Sequence, residues 1–130
     1  MKPEQILPYA KPWILIDDMQ YEESAGWATS KKLVSSSDHY VRGHFPEQSI
    51  YPGVLLAEGM VQTIEAVLLH EKICMKLVEA TSRFLRPAVP GDEVHFVVKI
   101  CDRQADRWVC EGTGFVDEQQ MIHSTMTFAK

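Results

Sequence analysis

The sequence predicts an α+β protein in which a curved antiparallel sheet packs against one long, buried helix. The helix is predicted over residues 53–72, a proline-free run whose apolar residues recur at helical spacing. Segments that resemble β-strands lie on both sides of this run and follow one another through short turns, which favours antiparallel pairing. One apolar helix and one sheet of this kind can bury each other's apolar faces.

Length and composition are typical of a single globular domain spanning residues 1–130. Hydrophobic residues make up 45% of the chain and charged residues 24%, so a substantial core is expected without disulfides or metals. The formal net charge of −5 argues against nucleic acid as a general partner, because nucleic-acid binding usually needs a basic excess.

The N-terminal half is predicted to contain a short helix and two strands. Residues 3–9 form the candidate helix, with a proline in its first turn. Residues 13–16 are an apolar, β-rich run that two aspartates follow, and residues 26–34 alternate enough to predict a second strand. A turn is expected at residues 22–24, and residues 39–51 are predicted to form a loop because two prolines limit regular structure there.

The C-terminal half is predicted to be four consecutive strands. They cover residues 75–85, 93–103, 108–116 and 121–128, and a turn-rich loop at residues 86–92 separates the first two. No internal repeat is visible.

Cysteine usage and hydropathy predict a cytoplasmic protein without a membrane span. Cys74, Cys101 and Cys110 form no metal-binding pattern and are expected to be reduced thiols. The N-terminus shows no apolar run of signal-peptide length, and the chain has no apolar stretch of membrane-spanning length.

The predicted helix carries a carboxylate in apolar surroundings. Glu58 lies among leucine, alanine, methionine and valine residues, where burial should raise its pKa and make it a candidate general acid. Gln62, four residues later on the same face, is expected to orient that carboxyl group. The helix start at Gly53 and Val54 offers free amide groups that can polarise a carbonyl.

His44 is the candidate base, in the loop that precedes the helix. Its ordinary pKa lies near working pH, and Pro46 and Pro52, which follow it, would restrain its loop. Each residue alone has a plainer interpretation: a histidine beside Phe45 can be a packed loop residue, and a lone glutamate can face solvent. Their joint occurrence around a Pro-Gly helix start is more specific.

These stretches together resemble a known family. Gly43-His44-Phe45-Pro46, Tyr51-Pro52-Gly53-Val54-Leu55 and the segment from Glu58 to Gln62 are similar to the signature of FabZ-type (3R)-hydroxyacyl-[acyl-carrier-protein] dehydratases. The fourteen-residue offset from His44 to Glu58 also fits that family. The later run from Arg83 to Asp92 is similar to the family's strand and loop, so the resemblance spans nearly the whole chain.

The resemblance implies a hotdog fold, a curved sheet wrapped around the central helix, and an enzyme that dehydrates a 3-hydroxyacyl group to a trans-2-enoyl thioester. The substrate would be carried on the phosphopantetheine of acyl carrier protein, with no metal and no other cofactor. The family works as homodimers, often assembled into hexamers, so His44 would face Glu58 of a second copy. Gly53, Val54, Gln62, Phe45 and Tyr51 would contact the substrate.

Departures from the family pattern leave the carrier and the pathway open. Tyr9 and Ala10 stand where the family usually has a His-Arg pair, and Glu47 and Ser49 replace its usual Gly and Pro. The synthesis of ordinary fatty acids and a specialised polyketide or aryl-polyene pathway both remain open.

Two other functions are weighed: a hotdog thioesterase, which would not need His44 at this spacing, and a non-catalytic subunit that binds acyl carrier protein. Docking candidates for an acidic carrier are the basic side chains of Arg83, Arg86, Lys99, Arg103 and Arg107, although each can equally be part of a solvated charged surface.

Overall fold

The computed structural model describes residues 2–10, 13–35 and 50–130. In chain order its elements are a 3₁₀ turn Pro3–Gln5, strands β1 (Asp18–Glu22) and β2 (Trp27–Leu33), helix α1 (Gly53–His70), and strands β3 (Lys76–Phe84), β4 (Glu93–Arg103), β5 (Arg107–Val116) and β6 (Gln119–Ala129). The predicted architecture of one long helix and an antiparallel sheet is therefore confirmed.

All six strands form one sheet in the order β1-β2-β4-β5-β6-β3, and every pairing is antiparallel. Strand β3 directly follows the helix but lies at the far edge, beside β6, with Lys76 opposite Ala129 and Phe84 opposite Ile122. Register shifts interrupt the β3–β6, β4–β5 and β5–β6 ladders. Such irregularities bend strands and increase their twist, which helps the sheet to curve around the helix.

Helix α1 packs against the sheet at close range. Glycine makes this approach possible in β5, because a Cβ atom at Gly112 would lie 2.6 Å from the Met60 sulfur. A Cβ atom at Gly59 on the helix would lie 3.3 Å from the Phe96 ring in β4. The largest fully buried side chains of this core include Trp108, Tyr51, Phe96, Phe128, Ile16, Met19, Leu56, Met60, Ile64, Ile122 and Met126.

A polar cluster ties the C-terminal end of α1 to the sheet. The Glu71 carboxylate accepts hydrogen bonds from the Tyr21 hydroxyl at 2.7 Å and from the Arg103 guanidinium at 2.9 Å. The same guanidinium lies 4.4 Å from the centre of the Trp108 ring. Arg103, one of the candidates for carrier docking, therefore has partners within its own chain.

The N-terminal predictions need correction. The helix expected over residues 3–9 is only the 3₁₀ turn Pro3–Gln5, and the strand expected over residues 13–16 lies outside the sheet. Ile14, Leu15 and Ile16 are buried in an extended segment whose Leu15 amide donates to a helix side chain instead of a neighbouring strand. The first strand of the sheet is β1, which begins at Asp18 and ends at Glu22. The turn therefore falls at residues 23–26 instead of 22–24. Of the loop predicted over residues 39–51, residues 39–49 lie outside the described residues.

Contrary to the expectation that the chain has no apolar stretch of membrane-spanning length, helix α1 is long and apolar enough to cross a membrane by length and composition. Ten of its residues are buried inside the protein, as expected for the central helix of a folded domain. Of the cysteines, Cys74 and Cys101 are exposed and Cys110 is buried. Burial raises the pKa of the Cys110 thiol to about 12, so this cysteine behaves as a small apolar side chain.

Candidate active site

The start of helix α1 presents amide groups that no side chain of the described residues caps. Pro52 precedes the helix with φ −57°, an angle that its ring fixes in advance, and its carbonyl accepts the Leu55 amide at 3.0 Å. Within the described part of the chain, no side chain caps this end. The first amides of an uncapped helix carry the positive end of its dipole, so they can bind a carbonyl oxygen or a developing negative charge.

An open cavity of about 420 Å³ lies at this helix start. Its walls come from residues 50–54, from Leu56, and from residues 84–87 at the end of β3. The Tyr51 amide donates to the Ala88 carbonyl at 2.8 Å, which joins the two walls. Of the predicted substrate-binding residues, the structure thus brings Tyr51, Gly53 and Val54 together. The Tyr51 side chain is almost fully buried, whereas Val54 is 67% exposed.

Gly53 allows the Phe84 ring to pack directly against the helix start. A Cβ atom at Gly53 would lie 2.9 Å from Cδ1 of Phe84, closer than real side-chain contacts allow. The Phe84 side chain is 54% exposed and is therefore able to move. A larger residue at position 53 would displace the ring across the cavity instead of unfolding the protein.

We expect Gly53→Ala to lower kcat/KM about tenfold or more, with little change in the free energy of unfolding. The displaced Phe84 ring would shift the substrate in the cavity, and small displacements of the reacting atoms are costly. Steady-state kinetics and urea unfolding measure the two effects. The double variant Gly53→Ala/Phe84→Ala, which lacks all of the obstructing ring atoms, should recover most of the lost kcat/KM. An equal loss in both variants would contradict the role of the Phe84 contact.

Glu58 lies about one and a half turns into α1 and is half-buried. Burial alone raises the pKa of its carboxyl group above the ordinary value of 4.5. A carboxyl group in this environment keeps its proton to higher pH than a solvated one, which is the property required of a general acid.

The sequence predicts that Gln62 orients the Glu58 carboxyl group, but the hydrogen bonds of its side chain go to the N-terminal segment. Its Oε1 accepts the Leu15 amide at 2.8 Å, and its Nε2 donates to the Trp13 carbonyl at 2.7 Å. The side chain is only 2% exposed. Gln62 therefore holds the N-terminal segment against the helix, and a direct contact with substrate stays a prediction.

Replacing Gln62 with Leu should lower the free energy of unfolding by about 2 kcal/mol, because the buried Leu15 amide would lose its acceptor. Urea denaturation monitored by tryptophan fluorescence measures the loss. Gln20, an exposed glutamine in β1, gives a matched control, and Gln20→Leu should leave stability nearly unchanged. Equal stability of Gln62→Leu and the wild type would contradict this role.

Two of the predicted site residues, His44 and Phe45, lie outside the described residues.

The sequence analysis did not identify the pair formed by Tyr9 and Glu65. The Tyr9 hydroxyl donates to Glu65 Oε2 at 3.2 Å, and Glu65 stands seven residues after Glu58. That spacing, which puts two carboxylates on one helix face, was the available signal.

The four other docking candidates can also be located in the structure. Arg86 lines the cavity at the helix start, and Arg83, Lys99 and Arg107 are exposed. Within residues 2–10, 13–35 and 50–130, no group of three or more histidine, cysteine, aspartate or glutamate side chains is arranged to hold a metal ion.

Known proteins are similar in sequence to this chain over almost its full length. The family model of the FabA-like domain matches residues 14–125. The 3-hydroxyacyl-[acyl-carrier-protein] dehydratase FabZ of Campylobacter lari is 35% identical, over 97% of this chain and 92% of that protein. The protein of the same name from Clostridium kluyveri is 28% identical, over 96% of this chain and 90% of its own length.

Solved structures agree on the fold at low sequence identity. The dehydratase heterocomplex ApeI:P from Xenorhabdus doucetiae superposes with a TM-score of 0.79 at 13% identity, covering 100% of this chain and 91% of that chain. The Escherichia coli PaaI protein of the phenylacetic acid degradation operon gives a TM-score of 0.72 at 14% identity, covering 87% and 82%. These likenesses identify the hotdog fold, and the sequence matches establish that the chain belongs to the FabA-like family, among relatives named FabZ.

Proposed function

We propose that this protein removes water from a 3-hydroxyacyl thioester carried on acyl carrier protein and forms the trans-2-enoyl thioester. The observation that carries this proposal is Glu58, a half-buried carboxyl group with a raised pKa, on a helix whose uncapped start opens into a cavity. The dehydratase relatives support the same reaction in fatty acid biosynthesis.

The proposed reaction is an acid–base elimination. The thioester carbonyl accepts hydrogen bonds from amides at the start of α1, which acidifies the proton on C2. His44 takes this proton, and the electrons of the C2–H bond form the C2=C3 double bond. The C3–O bond breaks as Glu58 donates its proton, and the hydroxyl leaves as water. The chemistry requires no metal and no cofactor other than the phosphopantetheine that carries the substrate.

The active protein is proposed to be a homodimer in which His44 of one copy faces Glu58 of the other. Strand β3 supports this arrangement, because it forms an edge of the sheet and none of its nine residues is buried. It presents Val78 at 62% exposure and Phe84 at 54%, and Phe84 also lines the cavity at the helix start. Long, apolar edge strands pair readily with a second chain. Assembly of three dimers into a hexamer is the larger form that the family resemblance suggests.

The carrier protein is proposed to dock at the same cavity. Arg86 supports this, because it places an exposed cation on the wall opposite the helix start, within reach of an acidic carrier or its phosphopantetheine phosphate. The expected compartment is the cytoplasm, where acyl carrier protein and reduced cysteines occur together.

One assay separates dehydration from the two other functions. The protein is incubated with a 3-hydroxyacyl-[acyl-carrier-protein], and enoyl absorbance and free thiol are followed together. Enoyl formation without thiol release is the expected result, and addition of the enoyl thioester should produce the hydrated species in reverse. Thiol release without an enoyl product would indicate a thioesterase, and binding without either change would indicate a non-catalytic subunit.

A further inference from the structure

A second half-buried carboxyl group follows Glu58 along the same face of α1. Glu65 is seven residues further on, a distance of about 10 Å along the helix axis. Burial raises the pKa values of both Glu65 and Tyr9, and the nearby charge of Glu58 raises them further. Glu58, Tyr9 and Glu65 therefore share one electrostatic environment, although only Glu58 has a role in the proposed reaction.

Tyr9 and Glu65 form a polar pair in which the Glu65 carboxyl group is half-buried and the Tyr9 side chain is 40% exposed. The Tyr9 hydroxyl bonds to Glu65 Oε2 at 3.2 Å. The other carboxyl oxygen, Oε1, is buried and has no hydrogen-bond partner among the residues that the structure describes. A polar atom buried in this way already costs free energy, and further loss of water from the pair would cost more.

An apolar cavity of about 310 Å³ lies beside this pair. Its other walls come from Pro8 in the N-terminal segment, from Leu68 and Leu69 in the last turns of α1, and from Lys72, Ile73, Cys74 and Met75 beyond the helix. Apart from Lys72, these walls suit a hydrocarbon chain. The pair is nevertheless part of the lining and lies on the same helix face as Glu58. An acyl chain that ran along this face from Glu58 would meet a carboxyl and a phenol group before entering this space.

We propose that Tyr9 and Glu65 determine acyl-chain specificity by acting as a polar barrier, which restricts the enzyme to short 3-hydroxyacyl groups. The inference rests on the proposed dehydratase function. An unsubstituted alkyl chain that reaches the pair removes water from both polar groups and supplies no hydrogen bond in return. A short chain ends before the pair and leaves it undisturbed.

The test compares 3-hydroxybutyryl and 3-hydroxydecanoyl groups on acyl carrier protein as substrates for the wild type and three variants. Glu65→Leu should raise the ratio of kcat/KM for decanoyl over butyryl by about tenfold, chiefly through a lower KM for the long chain. Glu65→Gln keeps a polar group and should leave the ratio close to that of the wild type. Glu118→Leu, which alters an exposed glutamate in the turn between β5 and β6, is the matched control.

The outcomes distinguish the barrier from the reaction. Unchanged butyryl turnover with an unchanged ratio in Glu65→Leu would overturn the barrier and leave the dehydratase function standing. If the wild type dehydrates neither substrate, calorimetric binding of decanoyl-pantetheine still decides: about tenfold tighter binding by Glu65→Leu supports the barrier, and equal binding overturns it. Glu65→Ala serves the same comparisons if the leucine variant does not fold.

Discussion

Glu58→Gln is expected to lower kcat for dehydration by about 10²–10⁴-fold, the contribution typical of a positioned general acid. The amide has nearly the same shape as the carboxyl group but supplies no acidic proton to the leaving hydroxyl. Single-turnover kinetics with a 3-hydroxyacyl-[acyl-carrier-protein] measure the chemical step directly. Glu118→Gln, at an exposed turn position, is the matched control and should keep full activity. Wild-type turnover by Glu58→Gln would contradict the assignment of Glu58 as the acid.

The same variant should be more stable than the wild type at neutral pH. Burial raises the pKa of Glu58 in the folded protein above its ordinary value of 4.5, so the folded state holds this proton more tightly than the unfolded state. Stability from this group is therefore present at low pH and is lost as pH rises through and above 4.5. Glu58→Gln removes that loss. Glu65 has a raised pKa as well, so the difference between wild type and variant isolates Glu58.

His44→Ala and Glu58→Gln should each be inactive alone and should regain activity when the two chains form mixed dimers. If His44 of one copy works with Glu58 of the other, each mixed dimer contains one complete site and one site lacking both groups. Random pairing of equal amounts then gives roughly a quarter of wild-type activity, because half of the dimers are mixed and each has half of its sites intact.

The mixing experiment also tests the oligomeric state. Co-expression with two different affinity tags isolates the mixed dimers, and native mass spectrometry should show masses at multiples of twice the 14.8 kDa chain. Mixed dimers with no recovered activity would place both groups in one chain and overturn the shared site. A monomeric, fully active wild type would do the same.

The part of the fold that the sequence predicted best is the part with regular periodicity. Helix α1 begins at Gly53 as predicted, because Pro52 fixes the entry, and it ends at His70, two residues before the predicted limit. Strand β4 has the predicted bounds, Glu93–Arg103, and its alternating valine and phenylalanine side chains point into the core. In both elements, the spacing of apolar residues along the chain is enough to indicate which side is buried.

The run at residues 13–16 shows where periodicity was insufficient. Its apolar residues correctly indicated burial, with Ile14, Leu15 and Ile16 almost fully buried. The Leu15 amide and the Trp13 carbonyl bond to the side chain of Gln62, 47 and 49 residues away, and no local pattern encodes that choice. The strand assignment was therefore wrong although the burial assignment was right. The role given to Gln62 differed from the observed one for the same reason, since its partners lie on a segment distant in the chain.

The sequence by itself determined the family, the antiparallel sheet around one helix, and the candidate acid Glu58, because each is recorded in residue order or spacing. Only the tertiary structure decided which groups surround that acid. It brings the end of β3 to the start of α1, so Gly53 meets Phe84, and it folds the N-terminal segment over the helix, so Tyr9 meets Glu65. Contacts between residues this far apart depend on how the sheet closes around the helix, and that closure is a property of the whole packed core.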